Sequence, residues 1–164
     1  MKKPASLKNY LIERTPWLKE DPTRIITFVE NGLIRATGAA SHSGACSHEY
    51  SYRLSIVIQA FPGDIEHITV PILEWLKVNQ SDMVDNPTFQ QNGLPFDVDV
   101  LDTGTVDLEI SINNLTERVI ALPSDTPDAQ YTADRYKISN PAEPQRDELL
   151  ALPEQNYPNP RGVS

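Results

Sequence analysis

HEYSYRLSIVIQAF, residues 48–61, alternates with a period of two. Tyr50, Tyr52, Leu54, Ile56, Ile58 and Ala60 are aromatic or apolar, whereas Glu49, Ser51, Arg53, Ser55 and Gln59 are polar or charged. Successive strand residues point to opposite faces, so this pattern predicts a long β-strand with one buried face. In the segment that follows, VPILEWLKVNQ at 70–80, the period changes. Ile68, Ile72, Trp75, Leu76 and Asn79 fall on one side of a 3.6-residue helix. An amphipathic strand needs a cover and an amphipathic helix needs a floor, so the two are expected to pack together.

Upstream, Pro4–Arg14 reads as a helix, with Pro4 in its first turn and Leu7, Tyr10 and Leu11 on one face. Pro16 interrupts the pattern, and Trp17-Leu18 begin a second turn or a bend. Arg24–Glu30 is rich in β-formers, Asn31-Gly32 is a strong hairpin signal, and Leu33–Thr37 is read as the returning strand. Gly38–Ser47 is small and polar, hence a loop. Pro62-Gly63-Asp64 turns the chain after the long strand, and Pro71 is placed in the first turn of the main helix.

Downstream, Ser81–Gly93 reads as a polar connection. Phe96, Val98 and Val100 alternate with polar residues in a strand with one wet face. Asp102–Thr105 is a turn, and Val106, Leu108, Ile110 and Ile112 form the partner strand. After Asn113-Asn114 the apolar phase slips to Leu115, Val119 and Ala121, the mark of a bulge. The expected fold is α+β: a mainly antiparallel, twisted sheet of about five strands packed against an N-terminal and a central helix. Seven of the fourteen prolines fall in the last 42 residues, where apolar residues are scattered. Such composition cannot offset its ordering entropy with a core of its own. The chain is therefore divided into a globular domain, 1–121, and a Pro-rich extended arm, 122–164, with a short helix expected at Gln145–Leu152.

A single cysteine, Cys46, excludes an internal disulfide and suits a reducing compartment. The start, MKKPASLKNYL, lacks the apolar core of a signal peptide, and no run approaches the ~20 apolar residues of a membrane span. A soluble protein with no membrane partner is expected. The net charge of −9 is uneven, with +3 over residues 1–20 and −7 over residues 81–120. This balance argues against nucleic-acid binding, which rests on basic patches that neutralise phosphates. A basic leading helix and an acidic hairpin would help neighbouring copies attract one another, or would simply keep the protein in solution.

Three constellations could carry chemistry. His42, Cys46 and His48 offer donors suited to zinc, but a structural site wants four ligands, and only His67 remains as a distant candidate. The same loop lacks an orienting group for a Cys–His nucleophile. Val100–Thr105, VLDTGT, resembles the Asp-Thr-Gly motif of aspartic proteases, in which two aspartates share one proton. One copy would demand a homodimer, and the downstream glycine element of that family is missing, so Asp102 reads first as a turn residue. The acidic run Asp97, Asp99, Asp102, Asp107 and Glu109 does not match EF-hand spacing and reads as a solvated sheet face. No catalytic, cofactor or metal residue is assigned. A small hydrolase or metal-binding module using Asp102 or the His42/Cys46/His48 loop stands as the alternative.

Several local matches run in one order along residues 3–118. They are Lys3-Pro4-x-Ser6-Leu7, Phe28-Val29-Glu30-Asn31-Gly32, Tyr52-x-Leu54, Gly63-Asp64, Val70-Pro71-Ile72-Leu73-x-Trp75-Leu76-x-x-Asn79-Gln80 and Leu115-Thr116-Glu117-Arg118. In these the sequence resembles the phage tail completion protein R (GpR) family of contractile-tailed phages and prophages. The resemblance implies a structural, non-enzymatic protein that finishes the tail at its head-proximal end so that it can join a head. The element order also looks like that of tail terminator proteins, which form hexameric rings. The partners so implied are further copies of the chain, tail tube and sheath proteins, and head–tail connector proteins. The implied locations are the host cytoplasm during assembly and the virion tail.

Overall fold

A computed structural model of the chain describes residues 1–37, 45–88, 93–132 and 135–141. Two antiparallel strands dominate it. The amphipathic strand of the sequence is β2, His48–Phe61, and it lies beside β4, Val106–Pro123, the longest element. β1, Ile25–Ala36, flanks β2, and β3, Phe96–Val100, flanks β4, so the order is β1-β2-β4-β3 with every neighbour antiparallel. A fifth strand, β5, Tyr136–Ser139, pairs with the last four residues of β4. The fold is thus α+β with a mostly antiparallel five-stranded sheet, as the periodicities imply.

One face of this sheet carries the helices. α1, Lys3–Arg14, and α3, Glu66–Asn79, pack on each other and on the apolar face of β2 and β4. α2, Pro16–Glu20, follows α1 directly, and a single 3-10 turn at Pro22–Arg24 leads into β1. Leu7 and Leu11 of α1, Ile68, Ile72, Trp75 and Leu76 of α3, and Leu54, Ile56, Ile58, Leu108, Ile110 and Ile112 of the sheet are all buried. Hydrogen bonds join the two long helices: Trp75 Nε1 donates to Ser6 Oγ at 3.1 Å, and Tyr10 Oη donates to Glu74 Oε2 at 2.9 Å. Burial and the Glu74 carboxylate both hold the Tyr10 phenol above its usual pKa.

Four details depart from expectation. Asn31-Gly32 does not reverse the chain. Glu30 pairs with Arg53 and Leu33 with Ser51, so both sides lie on β2 and the dipeptide is a bulge within one twelve-residue strand. Asn31 takes the positive φ of 53° that a type I′ turn would also have required, which is why turn and bulge share one signature. Pro71 is not in the first turn: α3 starts at Glu66, and the buried Pro71 lies one turn inside it. The connection after α3 folds into a short helix, α4, Ser81–Asp85, because Met83 finds a buried site. Finally, the apolar side of β3 is uncovered, with Phe96 57% and Val100 80% exposed, since the helical layer stops short of that edge.

The expected bulge at Asn113-Asn114 is present. Tyr52 faces Leu115 and Leu54 faces Ile112, with Asn114 at φ 59°. A third shift, at Gln59-Ala60, puts Ala60 at φ 51° and turns Phe61 inward. A short helix, α5, Ala129–Thr132, precedes β5. The loop residues 38–44, including His42, and the helix expected at 145–152 lie outside the described residues.

Glu117 joins helix and sheet. It occupies an inward register position of β4 opposite Tyr50 and is buried. The first residues of α1 contain no acid, and its own N-cap side chain makes no capping bond. Glu117 supplies the cap from the sheet: its Oε1 accepts from the backbone N–H of Lys2 at 2.5 Å and of Lys3 at 3.0 Å. Its Oε2 accepts from the Tyr52 hydroxyl at 2.7 Å. A carboxylate at a helix N-terminus meets unpaired N–H groups and the positive end of the macrodipole. Beside it, buried Gln80 accepts from Lys3 Nζ at 2.6 Å and donates to Thr116 Oγ1 at 3.1 Å and Asp82 Oδ1 at 2.8 Å. The start of α1, the end of α3 and the middle of β4 therefore meet in one polar cluster.

Two consequences can be measured. Trp75→Ala removes a buried side chain from the helix–sheet interface and is expected to destabilise by about 3–5 kcal/mol in urea unfolding. Glu117→Ala leaves the Tyr52 hydroxyl and the α1 N–H groups without their acceptor, for an expected loss of about 2–4 kcal/mol. The phenol of Tyr52 is pushed far above its ordinary pKa of 10.0, by burial first and by Glu117 second. Since the folded state holds this proton more tightly, its contribution is complete below pH 10.0 and declines as the pH rises above it. Tyr52→Phe is therefore expected to flatten the fall in stability above that pH.

Candidate functional site

Among the described residues, those singled out by chemistry do not converge on one site. Asp102 is exposed in the β3–β4 turn, where the Gly104 N–H donates to the Leu101 carbonyl at 3.2 Å and the Leu101 N–H to the Thr105 carbonyl at 2.9 Å. Gly104 has φ 77°, the left-handed conformation that favours glycine, so Asp-Thr-Gly serves the hairpin. Cys46 and His48 lie together at the start of β2. His48 Nδ1 is 2.9 Å from the Cys46 carbonyl oxygen, and Cys46 Sγ donates to Tyr136 Oη at 3.4 Å. His67 lies beyond the far end of β2, separated from His48 by about 40 Å of extended strand. It is therefore too distant to join a metal site with them. Among the described residues no group of three His, Cys, Asp or Glu side chains is placed to hold a metal ion.

The acidic run takes a definite shape. The register sets Asp97 directly opposite Glu109 and Asp99 opposite Asp107, all on the face away from the helices. Like charges facing across a ladder destabilise it. Part of this charge is engaged locally, since Asp107 Oδ1 accepts from the Ala60 N–H at 2.7 Å, at the bulge of β2. On the same face, Glu30 of β1 accepts from the Ser55 hydroxyl at 2.9 Å and lies 3.8 Å from Arg53 Nε, while Arg53 also donates to Ser111 Oγ at 2.7 Å.

A concave surface lies where α2 meets the start of α3. This open cleft of about 650 Å³ is lined by Arg14, Trp17, Phe61, His67, Val70 and Pro71, among others. Trp17 and Phe61 meet edge to face with ring centroids 5.5 Å apart, and the Arg24 guanidinium stacks over Trp17 at 5.2 Å. Periodicity placed Trp17 in a bend and Phe61 at a strand end. It could not bring them together, because their contact depends on the bulge at Ala60. Among the described residues lining the cleft, the Thr15 hydroxyl makes no hydrogen bond to a base. The aromatic and proline lining suits a hydrophobic contact better than bond making.

Among the described residues, several large apolar side chains are exposed on strands and helices. Phe28, Leu33 and Ile34 of β1, Val70 of α3, and Phe96 and Val100 of β3 are apolar and exposed. No helix among the described residues is long and apolar enough to cross a membrane.

The family model described as P2 phage tail completion protein R (GpR) matches residues 1–142, a span that contains every motif of the resemblance. "Tail completion protein R" of Escherichia phage P2 is 34% identical over 164 residues, which cover 100% of this chain and 97% of the relative. No solved structure matches. On these two matches, the chain belongs to the P2 phage tail completion protein R (GpR) family.

Proposed function

We propose that this chain is a structural, non-enzymatic protein of phage tail assembly. It completes the tail at its head-proximal end as a ring of copies, six on the analogy with tail terminators, and readies the tail for the head. The observation that carries this reading is the full-length match to a tail completion protein at 34% identity. Exposed apolar strands at both ends of the sheet support self-association and contact with tail tube, sheath or connector proteins. The position of Asp102 in a tight, exposed turn supports a structural role for the one protease-like motif. The protein acts, in this reading, in the host cytoplasm during assembly and in the tail of the finished virion.

Residues 122–164 are proposed as an arm reaching a neighbouring copy or an adjoining tail protein. Proline enrichment supports this, because stiff segments lose less entropy on docking in an extended form. The pairing of β5 with β4 ties the beginning of the arm to its own sheet.

The test is complementation. Supplied in trans to a phage lacking its own tail completion protein, the chain should restore infectious particles and tails of normal ends in electron micrographs. Failure to change either, with the protein folded and abundant, would overturn the reading. Asp102→Asn is expected to complement as well as the parent, and loss of infectivity with the fold intact would revive a catalytic role. Truncation after Pro141 retains β5; it should leave thermal unfolding of the body unchanged while reducing tail completion at least tenfold in particle counts.

A further inference from the structure

Among the described residues β1, β3 and β5 each pair on one side only, β1 at one end of the sheet and β3 at the other. Edge strands that face water are normally kept short, bulged or charged, because their open N–H and C=O groups invite pairing. β1 carries the bulge at Asn31-Gly32, yet it is twelve residues long and exposes Phe28, Val29, Leu33 and Ile34, the last at 72%. β3 is short, but Phe96 and Val100 leave its helix-side face apolar. Both edges thus expose apolar side chains that pairing with another strand would cover.

Charge decides which strand can fit. The outer face of β3 carries Asp97 and Asp99, each already opposite another acid of β4. Two β3 edges brought together would add further like-charge contacts, so β3 cannot pair with its own copy. The outer face of β1 carries Arg35, near its last residue, and its Glu30 is engaged by Ser55 and Arg53. Strand direction gives the same answer. Directions alternate across β1-β2-β4-β3, so β3 runs opposite to β1. A copy that follows without turning over keeps its apolar face on the helix side and offers β3 to β1 as one more antiparallel neighbour.

We infer that β1 of one copy pairs with β3 of the next, so that a single antiparallel sheet runs from subunit to subunit. This inference rests on the ring-forming part of the proposed function and supplies its interface. Different surfaces meet in such a contact, so it is heterologous and closes into a ring when the rotation per subunit allows. Main-chain bonds of β-augmentation would supply affinity, and Arg35 of β1 set against the acids of β3 would supply register and order of assembly.

The full chain and two variants test it by light scattering. Phe28→Glu with Ile34→Glu spoils β1 and leaves β3; Phe96→Glu with Val100→Glu spoils β3 and leaves β1. Each variant alone should fall from the mass of the ring to 18.4 kDa, that of one chain. Mixed, they retain one sound edge of each kind and should form a 1:1 pair of twice that mass and nothing larger. Thermal unfolding checks that the variants fold. If either double variant unfolds, Ile34→Glu and Val100→Glu, at the most exposed positions, carry the same comparison. Rings that survive both variants would overturn the edge pairing and leave the ring reading standing. So would rings that dissolve only on removal of residues 142–164, which would assign the contact to the arm. A parent protein that stays at the mass of one chain at its highest soluble concentration would overturn the ring and the edge pairing together.

Discussion

The buried carboxylate of Glu117 is the constraint on which the arrangement of helices and sheet depends. A charge removed from water is tolerated only where donors converge on it. Here the donors are the first N–H groups of α1 and the hydroxyl of Tyr52 in β2, two different elements of the fold. Because those N–H groups have no acceptor of their own, helix and carboxylate each need the other. Moving α1 by even half a turn would strand both. The neighbouring amide of Gln80 extends the same logic to the end of α3. The apolar core below supplies most of the driving force but has no preferred register, and the polar cluster fixes one.

The three bulges serve the same end by different means. Asn31, Ala60 and Asn114 all take positive φ, and each sits where a ladder shifts register. Asn tolerates this conformation through its short polar side chain. Ala60 does not, and its strain is offset by the bond from its N–H to Asp107 and by the inward turn of Phe61 against Trp17. Each bulge also bends and twists the strand that carries it. A sheet with strands this long would otherwise present a broad, flat surface to the two helices.

These particulars show why some of the structure was legible in the sequence and some was not. The buried face of β2, the face of α3 and the slip at Asn113-Asn114 are statements about nearest neighbours, and periodicity reports those directly. Asn31-Gly32 is ambiguous in principle: turn and bulge use the same conformation, and only the reach of β2 on both sides decides. Glu117 reads as a break in the apolar phase of β4, because its reasons lie 115 and 65 residues away in Lys2 and Tyr52. On the functional side, the family was legible from short matches such as Val70–Gln80. The cleft at Trp17 and the opposed acid pairs were not, since both exist only once strands are in register. The Asp-Thr-Gly motif shows the converse: a chemical signature can be fully spent on turn geometry.

The distance along the chain between Lys2 and its acceptor has a consequence for biosynthesis. A ribosome adds ~5–20 residues per second, so Glu117 is made about 6–23 s after Lys2. Throughout that interval α1 exists without its cap, and β2 without the strand that pairs with it most extensively. Vectorial synthesis therefore cannot complete this domain from its amino terminus. The helix made first is capped only when β4 takes its place between β2 and β3.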